Sequence, residues 1–514
     1  MENLVRWQDM VVLGTNLGVM IGIGVYCARK SKSADDYFLA NRSMPGWVVA
    51  VSMMATIVSS MTFLAHPGAT YKDDWRFMPA HALYFIPALL GYFVFMPFFR
   101  RGHVRSAYEY LELRFGAWAR MYGATAFLLH HMFRTGIILY VVSLPFQRMC
   151  GLDDPTSVIC IVGILVALYT IAGGLQAVIY TDFLQGIILI VGGLVCLPVL
   201  AQMIPGGLGQ IFTEAYQDDK FAVGSLDFRF DEKTIWVIIM VYQFQFLQLV
   251  CTDQNMVQRY LAMKTDASAR RGFLLGTALT IPVWMYFAFI GTALYVFYKH
   301  FPTDALANAK PEEVFPYFIL TQVPAGLAGL VISGLLAAAM STLDSSVNAS
   351  AATVTNDFYR RYHESRGRKP LSERHYLLVG RCFSIVFAMI MIGVALLINA
   401  MRSDTLMDLQ TIVYPIVSAG LLSLFLLGFF TVRVGSKAAL VAAVLTVALV
   451  AVWVIASTTW GKAQLPALAN ALPDTYWIGV VPHVFLIVVG ILGSFLWPRT
   501  ENKNLKNLTI WTSD

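Results

Sequence analysis

Residues 337–359 read AAAMSTLDSSVNASAATVTNDFY, and all but the last of them lie in an apolar run that extends from 326 to 358. Ser341, Asp344, Ser345 and Asn348 are spaced i, i+3, i+4 and i+7, which places hydroxyl, carboxylate and amide groups on one face of a helix. Thr342 adds an oxygen at the edge of this face. Hard cations prefer such oxygen ligands. The alternative is a helix-packing face of small residues, but a buried Asp344 carboxylate would need a cation, a proton or an ion pair.

The composition around this stretch is that of a membrane protein. Of the 514 residues, 57% are hydrophobic and only 13% are charged, and the mean hydropathy is +0.63. The charged share is about half of the ~25% that is typical of soluble domains. These values exclude a water-soluble globular enzyme and a disordered chain. We therefore predict one all-α polytopic membrane domain over 1–514.

Continuous apolar runs of about 20 residues predict membrane-spanning helices, whereas a barrel would show alternation. We predict thirteen spans, at 10–27, 47–64, 80–99, 118–146, 158–171, 178–203, 235–250, 272–298, 326–358, 378–400, 406–430, 438–455 and 478–497.

Basic residues indicate how these spans are oriented, because they collect on the cytoplasmic side of a membrane. With the N-terminus outside, most of the 37 Lys and Arg fall in predicted cytoplasmic loops. We therefore expect an outside N-terminus, a cytoplasmic C-terminus and a multi-pass protein of the cell (inner) membrane. Since the basic residues are scattered over many loops, they indicate topology and no nucleic-acid partner.

The second span carries polar residues in its middle. It reads VSMMATIVSSMTFLAHPG at 51–68, with Ser59, Ser60 and Thr62 close together and Pro67-Gly68 following. A discontinuous helix here would free backbone carbonyls to face a cavity. Alternatively, the hydroxyls bond back to their own helix or to a neighbouring helix.

Two charged residues in other predicted spans are further candidates for function. Asp182 is either a first-turn carboxylate near the cytoplasmic boundary or part of a cation- or proton-linked site. Arg134 lies deep in the fourth span and needs an anion, which is either a protein carboxylate or a carboxylate of a substrate. Glutamines that could bind a polyol occur in the seventh span, at Gln243, Gln245 and Gln248, and Gln410 and Tyr414 occur in the eleventh.

Motifs of other functional classes are missing from the sequence. There is no Walker A sequence, no G-x-S-x-G and no H-E-x-x-H. His130 and His131 are adjacent and point in different directions on a helix, so they do not predict a metal site. We therefore do not expect an enzyme or an ATP-driven pump.

Three stretches together resemble the sodium:solute symporter family: GGLQAVIYTDFLQGIILIVGG (173–193), CTDQNMVQRYLAMKTDASARR (251–271) and residues 337–359. The resemblance implies a LeuT-like fold of two inverted five-helix repeats, here at 45–203 and 233–430. One extra helix at 10–28 would precede the repeats and two helices at 436–498 would follow them. The seventh span, which would open the second repeat, has no Gly or Pro that marks a break like that of the second span.

The resemblance also implies which residues bind cotransported Na⁺. The main site would use backbone oxygens of Ala55, Val58 and Ala338 with the hydroxyls of Ser341 and Thr342. A second position, present in some members, would involve Asp182, Asp344 and Ser345. Because the family often has a hydroxyl where this chain has Asp344, the sequence leaves open whether this second position binds Na⁺, carries a proton or is structural.

For the organic substrate, the resemblance is to the sialic-acid members of the family. It implies contacts from Ser59, Ser60, Thr62 and Arg134, with His81 where the sialic-acid type has an amide. Gln245 and Gln410 are further candidates. We predict a sodium-coupled symporter that imports a sugar acid such as sialic acid and functions as a monomer in the lipid bilayer. The alternatives are symport of a neutral sugar or other polar solute, and a membrane sensor that uses the transporter fold.

Overall fold

A computed structural model of the chain describes residues 6–30, 32–101, 104–230, 232, 234–307, 309–367, 371–401, 420–497 and 505–512, apart from the side chain of residue 459. In these residues the chain forms helices joined mostly by short loops. Those of the first half are α1 (Trp7–Ala28), α2 (Ala34–Leu39), α3 (Gly46–Ile57), α4 (Ser60–Lys72), α5 (Met78–Ala82), α6 (Phe85–Leu90), α7 (Met96–Arg101), α8 (Ala107–Phe115), α9 (Ala117–Met149), α10 (Thr156–Met203) and α11 (Gly207–Gln217).

The second half continues the helical chain. Its helices are α12 (Ile235–Thr252), α13 (Gln254–Ala262), α14 (Asp266–His300), α15 (Pro311–Gln322), α16 (Leu327–Thr353), α17 (Arg361–Ser365), α18 (Glu373–Met401), α19 (Leu421–Phe430), α20 (Ser436–Ser457), α21 (Thr459–Gln464), α22 (Pro466–Ala471) and α23 (Val481–Leu496). π-helical turns at Gly91–Phe95 and Val354–Arg360 make Met78–Arg101 and Leu327–Ser365 continuous helical spans.

Among the described residues, nine helices are long and apolar enough to span a membrane, or ten when the bent pair α3 and α4 counts as one span. The 48 residues of α10 would extend about 72 Å, more than twice the ~30 Å apolar core of a bilayer. This element includes both predicted spans at 158–171 and 178–203 and is interrupted at Gly174, whose φ is 61°. The predicted eleventh span is described only from residue 420 onwards. The all-helical membrane architecture agrees with the sequence, and the count of thirteen stays a prediction.

The first broken helix lies where the second span was predicted to be discontinuous. α3 and α4 meet at an angle of 52°, and Val58 and Ser59 between them have extended backbone angles. The Ser59 hydroxyl accepts a hydrogen bond from the Met61 N–H at 3.3 Å, so it caps α4. The break is therefore made by an N-cap serine, while Pro67 lies inside α4.

The second broken helix was not expected from the sequence. α12 ends at Thr252 and α13 begins at Gln254, with Asp253 between them in an extended conformation. The Asp253 carboxylate accepts from the Asn255 N–H at 2.8 Å. The absence of Gly and Pro was misleading, because an acidic N-cap inside an apolar run also starts a new helix. The two broken helices open the two predicted repeats.

Helix α16 is the central helix of the molecule. Every residue from Val331 to Thr353 is buried, and the helix packs on α10, α9, α1, α18 and α3. Ser341 and Thr342 are both completely buried. Its stripe of oxygen-bearing side chains therefore faces protein on every side, and none of it faces lipid.

Candidate functional site

The first group of polar contacts joins α16 to the break after α3. The Ser341 hydroxyl contacts the carbonyl oxygens of Ala55 at 2.9 Å and Ala338 at 3.3 Å. The Thr342 hydroxyl contacts the carbonyl oxygens of Thr56 at 3.3 Å and Ala338 at 3.4 Å. Thus the structure brings together four of the five residues predicted for the main sodium site. Oxygens of backbone carbonyls and hydroxyls are ligands that suit hard cations.

Val58, the fifth predicted residue, is buried at the helix break. The Thr62 N–H bonds to the Ser59 carbonyl three residues before it, and so does not continue the helical ladder to the Val58 carbonyl. The break therefore releases the last carbonyls of α3 from helical hydrogen bonding. We call Ala55, Val58, Ala338, Ser341 and Thr342, the five residues predicted to bind Na⁺, the main cation site.

A second group surrounds Asp182, which is completely buried and lies in the interior of α10, after the break at Gly174. Its Oδ2 accepts from Ser52 Oγ at 2.7 Å and from Arg259 Nη2 at 2.6 Å. The same Arg259 nitrogen contacts Ser345 Oγ at 2.6 Å. A guanidinium thus lies between two of the three residues predicted for the second cation position.

Asp344, the third predicted residue of that position, is also completely buried. Its Oδ2 accepts from the Tyr169 hydroxyl at 2.8 Å, and its Oδ1 accepts from Ser345 Oγ at 3.3 Å. We call Asp182, Asp344, Ser345 and Arg259 the carboxylate cluster. Two carboxyl groups and one guanidinium give it a formal charge of −1 when both acids are ionised.

The predicted substrate residues on α4 and α5 lie near each other. Ser59, Ser60 and Thr62 are buried. His66, one turn after Thr62, packs edge-on against His81 with ring centroids 4.8 Å apart. The His81 ring also packs against Trp284, and its Nδ1 lies 2.9 Å from the Phe77 carbonyl. His81 is therefore held in an aromatic cluster beside the first broken helix.

The other predicted substrate residues have different surroundings. Arg134 is half-buried on α9, and its charge acts on the Asp253 carboxylate. Gln243 donates to the Ala80 carbonyl at 2.9 Å, whereas Gln245 is exposed, as expected for residues about 200° apart on a helix. The structure therefore does not bring Gln245 toward α5, and Gln243 takes that direction. Gln410 and Tyr414 lie outside the described residues.

Three buried polar residues were not recognised as site residues in the sequence. They are Arg259, Asp253 and His131, which are all buried or nearly so. Asp253 and Arg259 lie within the motif at 251–271, where charged residues directly follow an apolar run. That pattern was the available signal, because charges at membrane depth are expensive and usually functional. For His131 only its position in an apolar span pointed to a role.

Comparison with known proteins agrees with this architecture. The sequence model of the sodium:solute symporter family matches residues 37–446. The chain is 31% identical over 498 residues to the sodium/sialic acid symporter SiaT of Proteus mirabilis, with 97% of each chain covered. It is 29% identical over 499 residues to the sodium/sialic acid symporter NanT of Aliivibrio fischeri, covering 96% of this chain and 94% of that one.

Solved structures show the same fold. A substrate-bound, outward-open Na⁺-coupled sialic acid symporter matches with a TM-score of 0.85 at 29% identity, covering 95% of this chain and 98% of that one. Mhp1, a nucleobase-cation-symport-1 family transporter, matches with a TM-score of 0.56 at 15% identity and shows the fold alone, over 90% and 94% of the two chains. These matches confirm the predicted LeuT-like class. The chain belongs to the sodium:solute symporter family.

Proposed function

We propose that this chain imports a sugar acid of the sialic acid type together with Na⁺, by alternating access. As a member of a symporter family, it is a transporter and not an enzyme, and Na⁺ is its cotransported ion. The observation that carries the proposal is the contact between Ser341 on the central helix and Ala55 at the helix break, 286 residues apart in sequence. In addition, a half-buried arginine on α9 suits a substrate with a carboxylate.

Sodium binding would replace hydrogen bonds within the main cation site. The hydroxyls of Ser341 and Thr342 now donate to carbonyls of α3 and α16. With an ion present, the same carbonyl and hydroxyl oxygens would all point at the ion and hold α16 against the broken helix. Entry of each positive charge would supply about 2.3 kcal/mol per 100 mV of membrane potential. Because coupling is reciprocal, sodium must also strengthen substrate binding.

The carboxylate cluster is a second element of the proposal. Asp182 Oδ1 is buried and lacks a hydrogen-bond partner among the described residues, and the formal charge of the cluster favours one further cation. We propose a second Na⁺ position at Asp182, Asp344 and Ser345, which requires Arg259 to share these oxygens. Asp344→Asn and Asp182→Asn should then lower the Hill coefficient of sodium-dependent uptake. An unchanged coefficient in both active variants would restrict coupling to the main cation site.

The substrate class rests on Arg134. We expect proteoliposomes that contain the purified protein to take up sialic acid only with an inward sodium gradient. A panel of sugar acids, neutral sugars and amino acids would compare classes. Arg134→Ala should abolish uptake of the acid, and Arg134→Lys should retain part of it, since one charge remains without two-pronged geometry. If Arg134→Ala leaves uptake of every solute unchanged, the acid assignment is wrong.

A neutral sugar or other polar solute is the second candidate. The reason for it is His81, which stands where the family resemblance places an amide in the sialic-acid type and is buried beside the first broken helix, against the rings of His66 and Trp284. The same panel decides between the two candidates.

We further propose that the protein acts as a monomer, binds no nucleic acid, and lies in the cell (inner) membrane with its N-terminus outside and its C-terminus in the cytoplasm.

A further inference from the structure

His131 lies between the central helix α16 and the break between α12 and α13. It is 1% exposed on α9. Its Nδ1 is 3.0 Å from the hydroxyl of Ser346 on α16, and its Nε2 is 3.0 Å from the carboxylate of Asp253. The ring therefore contacts the central helix on one side and the break between α12 and α13 on the other.

These contacts continue to the main cation site. The Ser346 hydroxyl donates to the Thr342 carbonyl at 2.7 Å, and Thr342 is one of the residues of the main cation site. Since a hydroxyl has one proton, Ser346 accepts from His131 Nδ1–H, and since an ionised carboxylate only accepts, His131 Nε2–H donates to Asp253. Thr342, Ser346, His131 and Asp253 thus form a continuous series of hydrogen bonds, which we call the polar relay.

The other end of the polar relay determines where α13 begins. Asp253 is the N-cap of α13, and its Oδ1 accepts from Asn255 N–H while its Oδ2 contacts His131. A cavity of about 20 Å³ beside it is lined by Asp253, Gln248 and Thr252 from the second broken helix and by His130 from α9. A shift of the carboxylate would therefore change both the cap and the polar lining of this cavity.

We propose that His131 is a positioning residue that couples sodium binding on α16 to the break between α12 and α13. The inference rests on the proposed function, because it presupposes that Na⁺ binds at the main cation site. Sodium would draw the Thr342 turn toward the ion. The polar relay would then hold Asp253 in its capping position and order the start of α13, and an ordered α13 would favour binding of the organic solute.

The test uses sodium alone and needs no organic substrate. Hydrogen–deuterium exchange of the full-length protein in nanodiscs would be compared in sodium chloride and in choline chloride. In the wild type, sodium should slow exchange of the amides at 254–258 at least about fivefold, the lower end of typical coupling between two sites. Sodium should also slow exchange around 338–342, which reports on the main cation site itself.

Two variants separate the two contacts of the ring. His131→Asn keeps an amide donor near the Nδ1 position, facing Ser346, and loses Asp253. His131→Gln reaches toward Asp253 and loses Ser346. Both interrupt the polar relay, so in both the sodium effect at 254–258 should fall below about twofold while the effect at 338–342 remains. The matched control is His483→Gln, since His483 is a buried histidine whose Nδ1 also contacts a serine hydroxyl, that of Ser423 at 3.2 Å; this variant should behave as the wild type.

Several outcomes would overturn the inference. Wild-type protection at 254–258 in both His131 variants would show that the polar relay is not needed. Loss of protection at both segments would show that His131 only maintains the structure. A wild type that is protected at 338–342 but not at 254–258 would show that the signal does not reach α13. Failure of the proposed function is distinguishable from all of these, because sodium would then protect neither segment of the wild type and uptake would not depend on sodium.

Discussion

The hydroxyl of Ser341 donates to the carbonyl of Ala55 at 2.9 Å, although the two residues are 286 positions apart. This bond joins the buried part of the central helix to the last turn before the break of another helix. Both partners contribute an oxygen atom, and the contact lies in the last turn of α3, which ends at Ile57. The relationship explains why a broken helix and a polar stripe occur together in an otherwise apolar chain: each provides part of one polar site.

Removal of this hydroxyl should weaken sodium binding. Ser341→Ala should raise the sodium concentration for half-maximal uptake by about 10-fold or more, since a polar contact to a charged group contributes about 1.5–3 kcal/mol. Thr342→Ser keeps its hydroxyl and serves as the control, with a change below about threefold. Sodium titrations of uptake in proteoliposomes measure both. Equal sodium dependence in Ser341→Ala and the wild type would exclude Ser341 as a ligand.

The ion pair between Asp182 and Arg259 should stabilise the protein only as a pair. Both side chains are buried and their nearest atoms are 2.6 Å apart. Asp182→Asn alone should destabilise the fold by about 3–5 kcal/mol, because it removes the carboxylate that directly contacts the buried Arg259 guanidinium. The double variant Asp182→Asn/Arg259→Met should recover at least half of that loss. Chemical unfolding in detergent measures the stability of each variant. A double variant whose destabilisation equals the sum for Asp182→Asn and Arg259→Met would contradict this prediction.

The first helix should stabilise the N-terminal end of α16. Gly326 at the N-cap of α16 has no side chain to cap it, and Asp9 of α1 instead accepts from the N–H groups of Gly326 and Gly329, both at 2.7 Å. Asp9→Ala should cost about 1–2 kcal/mol of unfolding free energy, as expected for a lost cap. Asp9→Asn keeps an acceptor and should cost less. An Asp9→Ala protein with wild-type stability would show that the bonds contribute nothing.

A carboxylate on α8 provides a prediction for pH. Burial raises the pKa of Glu112, but hydrogen bonds from Arg361 and Arg120 outweigh it and hold the pKa below the ordinary 4.5. A group with a depressed pKa stabilises the fold above its unfolded pKa and loses this contribution as the pH falls through the folded value.

This effect can be isolated with Glu112→Gln, which keeps the shape and removes the titration. The difference in unfolding midpoint between wild type and variant should be constant from pH 7 to pH 5 and should shrink below about pH 4.5. High salt should reduce it, because the pair is partly exposed. A difference that does not depend on pH in this range would show that the ion pairs of Glu112 do not contribute.

Much of the fold could be predicted from the sequence, because a bilayer imposes length and hydropathy on every helix. The polar residues at 59–62 predicted the first broken helix, and the stripe beginning at Ser341 predicted a polar face inside the bundle. The break at Asp253 was missed because Gly and Pro were taken as its signals, whereas an N-cap carboxylate ended α12. Gln245 was placed in the site from its residue type alone, and the helical phase of α12 makes it exposed.

The chain alone therefore specified a polytopic helical bundle, the helix that carries oxygen donors and the break that faces it, since hydropathy, periodicity and capping act over a few residues. The folded arrangement decided which polar groups form ion pairs and hydrogen bonds with one another. Arg259 reaches Asp182 across 77 residues, and His131 reaches Ser346 across 215. Such contacts depend on how helices pack in three dimensions, and no local pattern in a single sequence records them.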